Sequence, residues 1–310
     1  MGYNTKKLLF AINKIVQMLV DCFVYNKLLF KWLLYIGEIV EKKKRRRDKQ
    51  NISVAITHFN RDNILYKSLF NILFDNMVSE IVILDDGSDD KSFEKLKKEL
   101  KKINCKKIKL FRRGDNIGVL KTKIEVISLC SNNWVILLDS DNTITKRYLK
   151  TLKKMSEWDE KKIYTPEIAW PYFILTSLTK ELVSFDSVRN HNTNTMYLLL
   201  NMGNYFLNKN PFLTIMHKYS KTKNGYVTSY DVMFANYIWL KEGNSIKCQK
   251  RMAYFHRVHT GSNWTKKNGD KKNQELLKRL SHNFKTKKKE DFSDLLETSS
   301  QNKTQIERII

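Results

Sequence analysis

Three acidic groups in the chain stand at or just past the ends of two apolar runs. Asp85-Asp86 follows Ile81-Val82-Ile83-Leu84, and Asp139 and Asp141 follow Trp134-Val135-Ile136-Leu137-Leu138. Short apolar runs of this kind read as buried strands. In open α/β sheets, ligands sit beyond the carboxyl ends of the strands. Side chains alternate across a strand but diverge in a turn, so Asp-x-Asp just past a strand end aims two carboxylates at one point. Such carboxylates repel unless a cation joins them. Mg²⁺ or Mn²⁺, held by one or two carboxylates plus substrate phosphates, suits the arrangement. An isolated Asp-Ser-Asp would be an ordinary turn; its place after a Val-Ile-Leu-Leu strand argues for the cation.

Two more constellations carry chemical groups. Asp231, in Ser229-Tyr230-Asp231-Val232-Met233-Phe234, stands at an expected helix start. It is either a simple N-terminal cap or a carboxylate stabilised by the helix dipole. His256-Arg257-Val258-His259 offers two imidazoles, which suit Mn²⁺-type metals, and a guanidinium that can meet a phosphate. The alternative is a surface histidine pair in a basic region.

The elements that must position these groups alternate. Ile52–Ile56 reads as a buried strand, followed by a helix carrying Leu65, Leu69, Ile72 and Leu73. The strand Glu80–Leu84 precedes a helix capped by Asp90 with Phe93, Leu96, Leu100 and Ile103 on one face. Lys107–Phe111 is a third strand, Val119–Leu129 a helix, and Trp134–Leu138 a fourth strand. Alternation of this kind predicts a mostly parallel sheet covered by helices on both sides. Beyond it lie expected helices at Lys146–Met155 and Asp231–Leu240, a short strand near Tyr164 and a last strand at Lys247–Phe255. Residues 265–310 are Lys-rich with weak periodicity, which predicts a solvated helical tail or disorder.

Residues 1–50 differ from the rest. Leu8, Ile12, Ile15, Leu19 and Phe23 recur at helical spacing, and Lys42-Lys43-Lys44-Arg45-Arg46-Arg47 closes the segment. Charges interrupt the run before it reaches the roughly 18–20 clean residues of a membrane span. The segment either lies on an anionic membrane surface or packs on protein.

The bulk composition narrows the partners. The 310 residues carry a formal charge of +25, which favours anionic partners, phosphorylated small molecules among them. The four cysteines (Cys22, Cys105, Cys130, Cys248) form no CxxC pair, which points to a reducing compartment. None of the 10 glycines lies two residues from another, so there is no GxGxxG loop, and no GxxxxGK[ST] loop occurs. A phosphate-binding α/β protein without a glycine cradle must neutralise its phosphates otherwise, and a metal on Asp-x-Asp does so.

At these residues the chain resembles a known family. Ser53-Val54-Ala55-Ile56-Thr57-His58-Phe59-Asn60-Arg61 is similar to the opening strand and loop of family 2 glycosyltransferases of the GT-A fold. Ile83-Leu84-Asp85-Asp86-Gly87-Ser88 resembles their second signature, Asn116-Ile117-Gly118 their third, and Leu137-Leu138-Asp139-Ser140-Asp141 their metal-binding DxD. Four motifs in order and at the family's spacing are more specific than any one alone. The family usually has Pro-Thr where this chain has Thr57-His58.

The resemblance implies an α/β GT-A fold with a mostly parallel central sheet. It would occupy residues 51–262, with a nucleotide-binding half at 51–145 and an acceptor half at 146–262. A helical extension would fill 1–50 and a Lys-rich tail 263–310. It implies that Thr57 and Phe59 contact the base, and that Asp86, or its neighbour Asp85, accepts a hydrogen bond from a uracil ring. Arg61, Asn116, Gly118 and Ser140 join the nucleotide-sugar site. Asp139 faces ribose or sugar hydroxyls or shares the metal. Asp141 binds Mn²⁺ or Mg²⁺, with His259 or His256 completing the site, and Asp231 is the general base. The expected activity is inverting transfer of a hexosyl or N-acetylhexosaminyl group from a UDP-sugar. The acceptor would be a glycan, lipid or protein hydroxyl, with no nucleic acid as partner, in the cytoplasm or at its membrane surface. The competing reading is a non-catalytic basic protein, a decayed transferase that holds nucleic acid or anionic membrane.

Overall fold

The computed structural model describes residues 51–61, 65–220, 231–258, 267–290 and 306–310. The amphipathic segment expected at 1–50 and His259 lie outside the described residues.

The chain enters through Ile52–His58 (β1), an almost wholly buried strand. A short helix, Leu65–Leu69 (α1), leads to Val78–Asp86 (β2). The helix expected to run on through Leu73 stops at Leu69, whose carbonyl takes the N–H groups of both Ile72 and Leu73 in tight turns. Asp90–Ile103 (α2) follows, then Ile108–Arg113 (β3), Val119–Ser128 (α3) and Trp134–Asp139 (β4). The cap of α2 is Asp89, not Asp90: its carboxylate accepts from the Ser92 N–H at 2.8 Å. Phe93, Leu96 and Leu100 form the buried stripe of α2, as their spacing demands.

β3, β2, β1 and β4 lie side by side in that order, all parallel. The apolar runs are continuous because both faces of these strands are covered. A right-handed crossover puts α1 and α2 over one face, and the return from β3 to β4 puts α3 over the other. The carboxyl ends of β1, β2 and β4 therefore open on one edge of the sheet. Thr57 of β1 stands in register with Leu84 of β2 on one side and with Asp139 of β4 on the other.

The second half is mixed rather than parallel. Thr143–Ile144 (β5), Lys146–Lys154 (α4), Lys162–Trp170 (β6) and Phe173–Ile174 (β7) are followed by Thr193–Leu200 (α5) and Phe206–Asn208 (β8). Lys209–Ser220 (α6), Asp231–Lys241 (α7) and Ser245–Phe255 (β9) come next. β8 pairs antiparallel with β4 and with β6, β9 runs parallel to β6, and β5 closes antiparallel on β9. β9 thereby returns the chain to the carboxyl end of β4.

Lys267–Thr286 (α8) is not the solvated tail that its composition suggests. Leu276, Leu280 and Phe284 recur at helical spacing and are buried. Phe284 packs on Phe185 and Tyr237 at centroid distances of 4.9 and 5.6 Å. Ile306–Arg308 (β10) then adds an antiparallel strand to β3, so the sheet holds ten strands among the described residues. Apart from residues 74–76, the described residues belong to one compact unit, Gln50–Leu73 with Met77–Ile310. No helix among them is long and apolar enough to cross a membrane.

Candidate active site

The sheet edge where β1 and β4 end gathers several of the residues singled out by type and spacing. The Thr57 hydroxyl donates to Asp139 Oδ1 at 3.3 Å. Ser140 ties the same two strand ends together through its backbone: its N–H donates to the Thr57 carbonyl at 3.1 Å, and its carbonyl accepts from the Ser68 hydroxyl at 2.7 Å. At the next residue, Asp141 Oδ2 faces Arg61 Nε at 3.5 Å. Thr57, Arg61, Asp139, Ser140 and Asp141 thus stand together.

Asp139 is the most heavily bonded of them. Lys123, buried on α3, forms an ion pair with Oδ1, and Oδ2 accepts from Asn204 Nδ2 at 3.1 Å and Asn142 Nδ2 at 3.4 Å. Its own N–H donates to Asn204 Oδ1 at 2.7 Å. The carboxylate is one-third exposed, so it is held rigidly yet open to a ligand. Neither Lys123 nor Asn142 stood out in the sequence. Lys123 sits beside the core residues Leu120 and Ile124 on a helix with other lysines, and nothing in the pattern separates a buried lysine from a solvated one.

The loop after β1 places Phe59 at 43% exposure, one of a few exposed large apolar side chains and a ring available for stacking. Asn60 adopts a left-handed backbone (φ 46°), which asparagine tolerates. Its N–H donates to Ser88 Oγ at 2.8 Å, and its Oδ1 accepts from the Asp89 N–H at 3.0 Å. The turns after β1 and β2 are therefore pinned to each other.

Asp85 and Asp86 are turned into the fold. Asp85 is fully buried and accepts from the Ser88 hydroxyl and N–H, with Arg112 at 3.8 Å. Asp86 accepts from the Ile117 N–H at 3.2 Å, with Arg113 at 3.9 Å, and so joins the end of β2 to the start of α3. Burial raises the pKa of both carboxyls, against the lowering pull of Ser88 on Asp85 and of Thr122 and the Ile117 N–H on Asp86. Asn116 Oδ1 accepts from the Gly118 N–H at 3.1 Å, and Gly118 caps α3 at φ 94°. Gly87 permits this close approach. Its φ is +71°, and a Cβ there would lie 2.6 Å from Asn116 N.

β9 delivers the late basic segment. The Arg257 N–H donates to Asn142 Oδ1 at 3.0 Å, and its guanidinium donates to the Asp141 carbonyl at 3.1 Å and Thr143 Oγ1 at 3.2 Å. The guanidinium thus clamps the Asp139–Asp141 turn. His256 follows β9, with its N–H on the Trp170 carbonyl at 2.8 Å and its ring edge-on to Phe173 and Tyr172. Burial lowers its pKa, although Asp141 and then Asp139 pull the other way. Asp231 is the first described residue of α7, and the residues before it lie outside the described ones.

A metal would find few protein ligands here. Among the described residues no three His, Cys, Asp or Glu side chains converge into a cage. Asp139 already shares its charge with Lys123. Asp141 offers a carboxylate that fits a cation taking its remaining ligands from substrate phosphates.

Comparison with known proteins adds the family. A 109-residue stretch is 27% identical to the uncharacterized glycosyltransferase MG060 homolog of Mycoplasma pneumoniae, covering 34% of this chain and 36% of that protein. A stretch of equal length is 32% identical to glycosyltransferase GlyA of Streptococcus pneumoniae, covering 34% of this chain and 15% of that one. The matched part thus spans little more than a third of such relatives at most. In fold the chain is similar to S. aureus TarS 1–349 in complex with UDP-GlcNAc (TM-score 0.52, 16% identity, 74% of this chain and 66% of that one). It is similar also to the same protein in complex with UDP (TM-score 0.51, 15% identity, 74% and 65%). Residues 53–220, more than half of the chain, match the model of glycosyl transferase family 2, and they include the strand ends that hold Thr57, Asp139 and Asp141; the chain belongs to that family.

Proposed function

We propose that the protein transfers a sugar from a UDP-sugar to an acceptor hydroxyl by direct displacement, with inversion at the anomeric carbon. One observation carries the reading: Thr57, Asp139 and Asp141–Arg61 meet at adjoining strand ends within the family-matched region. Phe59 stacks on the base, and Thr57 and the Asn116–Gly118 turn border the nucleotide. Asp86 shapes that turn through its bond from the Ile117 N–H and keeps its other carboxylate oxygen to accept from the base. Asp139, already neutralised by Lys123, accepts hydrogen bonds from ribose or sugar hydroxyls. Asp141 is the carboxylate for Mn²⁺ or Mg²⁺, with a histidine of the 256–259 segment as a further ligand. A divalent cation bound there with the donor's phosphates would offset the charge growing on the departing diphosphate. Arg61 exchanges Asp141 for a phosphate oxygen. Asp231, at the start of α7 where the helix dipole favours its anionic form, takes the acceptor proton.

The UDP complexes of the fold relative TarS support the choice of nucleotide. The acceptor is a hydroxyl of unassigned class.

Calorimetric titration with UDP tests the reading. Binding is expected to require Mn²⁺ or Mg²⁺ and to collapse in Asp141→Asn, whereas Asp231→Asn keeps UDP binding and loses transfer. Undiminished binding by Asp141→Asn would refute the metal role of that carboxylate.

A further inference from the structure

Two buried side chains, Asn204 and Tyr254, join Asp139 to His256. The Asp139 N–H donates to Asn204 Oδ1 at 2.7 Å, and Asn204 Nδ2 donates back to Asp139 Oδ2 at 3.1 Å. These two bonds have opposite polarity, so they fix which way the Asn204 amide faces. Its second amide proton then goes to the Tyr254 oxygen at 3.2 Å. Asn204 and Tyr254 are 2% and 1% exposed, so water does not compete for these bonds.

Tyr254 is therefore an acceptor toward Asn204 and must place its own proton elsewhere. Two atoms are in reach, each at 3.5 Å: His256 Nδ1 and Met202 Sδ. A thioether sulfur is a weak acceptor and an imidazole nitrogen a strong one. The phenol hydroxyl carries a proton to give, since burial pushes the Tyr254 pKa up, and a ring nitrogen that accepts it bears no proton of its own. A neutral imidazole that accepts at one nitrogen carries its proton on the other.

We infer that Tyr254 fixes the ring proton of His256 on Nε2, and that His256 therefore serves the donor as a hydrogen-bond donor to a phosphate oxygen and not as a metal ligand. A histidine that binds metal through Nε2 needs the reverse arrangement, with Nδ1–H donating to an acceptor. Tyr254 provides that arrangement only by passing its own proton to Met202. The tautomer follows from the hydrogen bonds alone. The phosphate role rests on the donor-site reading above. Tyr254 and Asn204 are positioning residues in this account.

The test is a long-range ¹H–¹⁵N spectrum of the full chain with labelled histidine, at about pH 8, above the ordinary histidine range near 6.5. His256→Asn identifies the His256 signals. The wild type and Met202→Leu are both expected to carry the proton on Nε2, and Tyr254→Phe to show both tautomers. An Nδ1–H signal in the wild type, a tautomer change in Met202→Leu, or an unchanged tautomer in Tyr254→Phe would each overturn the inference. The first two outcomes do not depend on Tyr254→Phe folding. Mn²⁺ affinity in the presence of UDP, read by electron paramagnetic resonance, is expected to change less than about twofold in His256→Gln; a loss of about tenfold or more, as for a ligand or its close support, would overturn it. Failure of UDP to bind at all would count against the donor site and leave the tautomer result standing.

Discussion

Asp139→Asn is the obvious probe of the acidic pair, and its cost is expected to lie in stability as much as in catalysis. The ion pair with Lys123 is lopsided: the lysine side chain is 3% exposed and the aspartate 33%. Removing Asp139 leaves a buried ammonium without its charge partner. Removing Lys123 leaves a carboxylate that water reaches and that Thr57, Asn204 and Asn142 still serve. Breaking a buried pair by deleting one partner costs about 3–5 kcal/mol. Because Asp139 is partly exposed, about 3 kcal/mol is expected for Asp139→Asn and about 1 kcal/mol for Lys123→Met. The double variant, with no stranded charge, is expected to be more stable than Asp139→Asn alone by about 2 kcal/mol. Urea unfolding of the four proteins at a single pH measures the cycle. Equal costs for the two single variants, or a double variant no more stable than Asp139→Asn, would refute the assignment of a buried, uncompensated lysine. In that event, lost activity in Asp139→Asn reports on the ligand alone.

Glu80 accepts from Ser53 Oγ, the Ser131 N–H and Lys109 Nζ; burial opposes ionisation, but these bonds prevail and hold its pKa at about 2 against an ordinary 4.5. A lowered carboxylate pKa gives stability that is complete above pH 4.5 and is lost as pH falls toward 2. The gap between wild type and Glu80→Gln in urea unfolding is therefore expected to shrink by about 2 kcal/mol between about pH 7 and about pH 3, and a pH-independent gap contradicts this. Gly87→Ala is expected to lose about 1–3 kcal/mol of stability and to weaken UDP binding, because the Cβ displaces residues 115–116 and with them the Asn116–Gly118 turn. Thermal unfolding and UDP titration check both effects. Phe284→Ala is expected to cost about 3 kcal/mol if α8 is core; a melting temperature equal to wild type would return the helix to solvent.

The strands that make the site were legible because they are buried on both faces. β1, β2 and β4 are near-continuous apolar runs, and the polar residues that end them mark the sheet edge. The loops were legible as positions but not as conformations. Asp85 and Asp86 looked alike in sequence, yet one closes its own turn and the other reaches the start of α3. Lys123 and Asn204 were invisible in their roles, because a buried polar contact depends on which strands become neighbours, and β4 meets β8 only across an antiparallel pairing with no local signal. The apolar stripe of α8 was obscured by surrounding lysines, and β10 is three residues long, too short for any alternation to declare itself.

That last strand has a practical bearing. Ile306–Arg308 occupies the outer side of β3, and the Ile309 N–H and Ile310 carbonyl bond Leu110 at 2.7 and 3.2 Å. Without them β3 would present a bare row of amides and carbonyls, the kind of edge along which chains zip together. A variant lacking residues 306–310 is thus expected to lose solubility, and light scattering would register it as association.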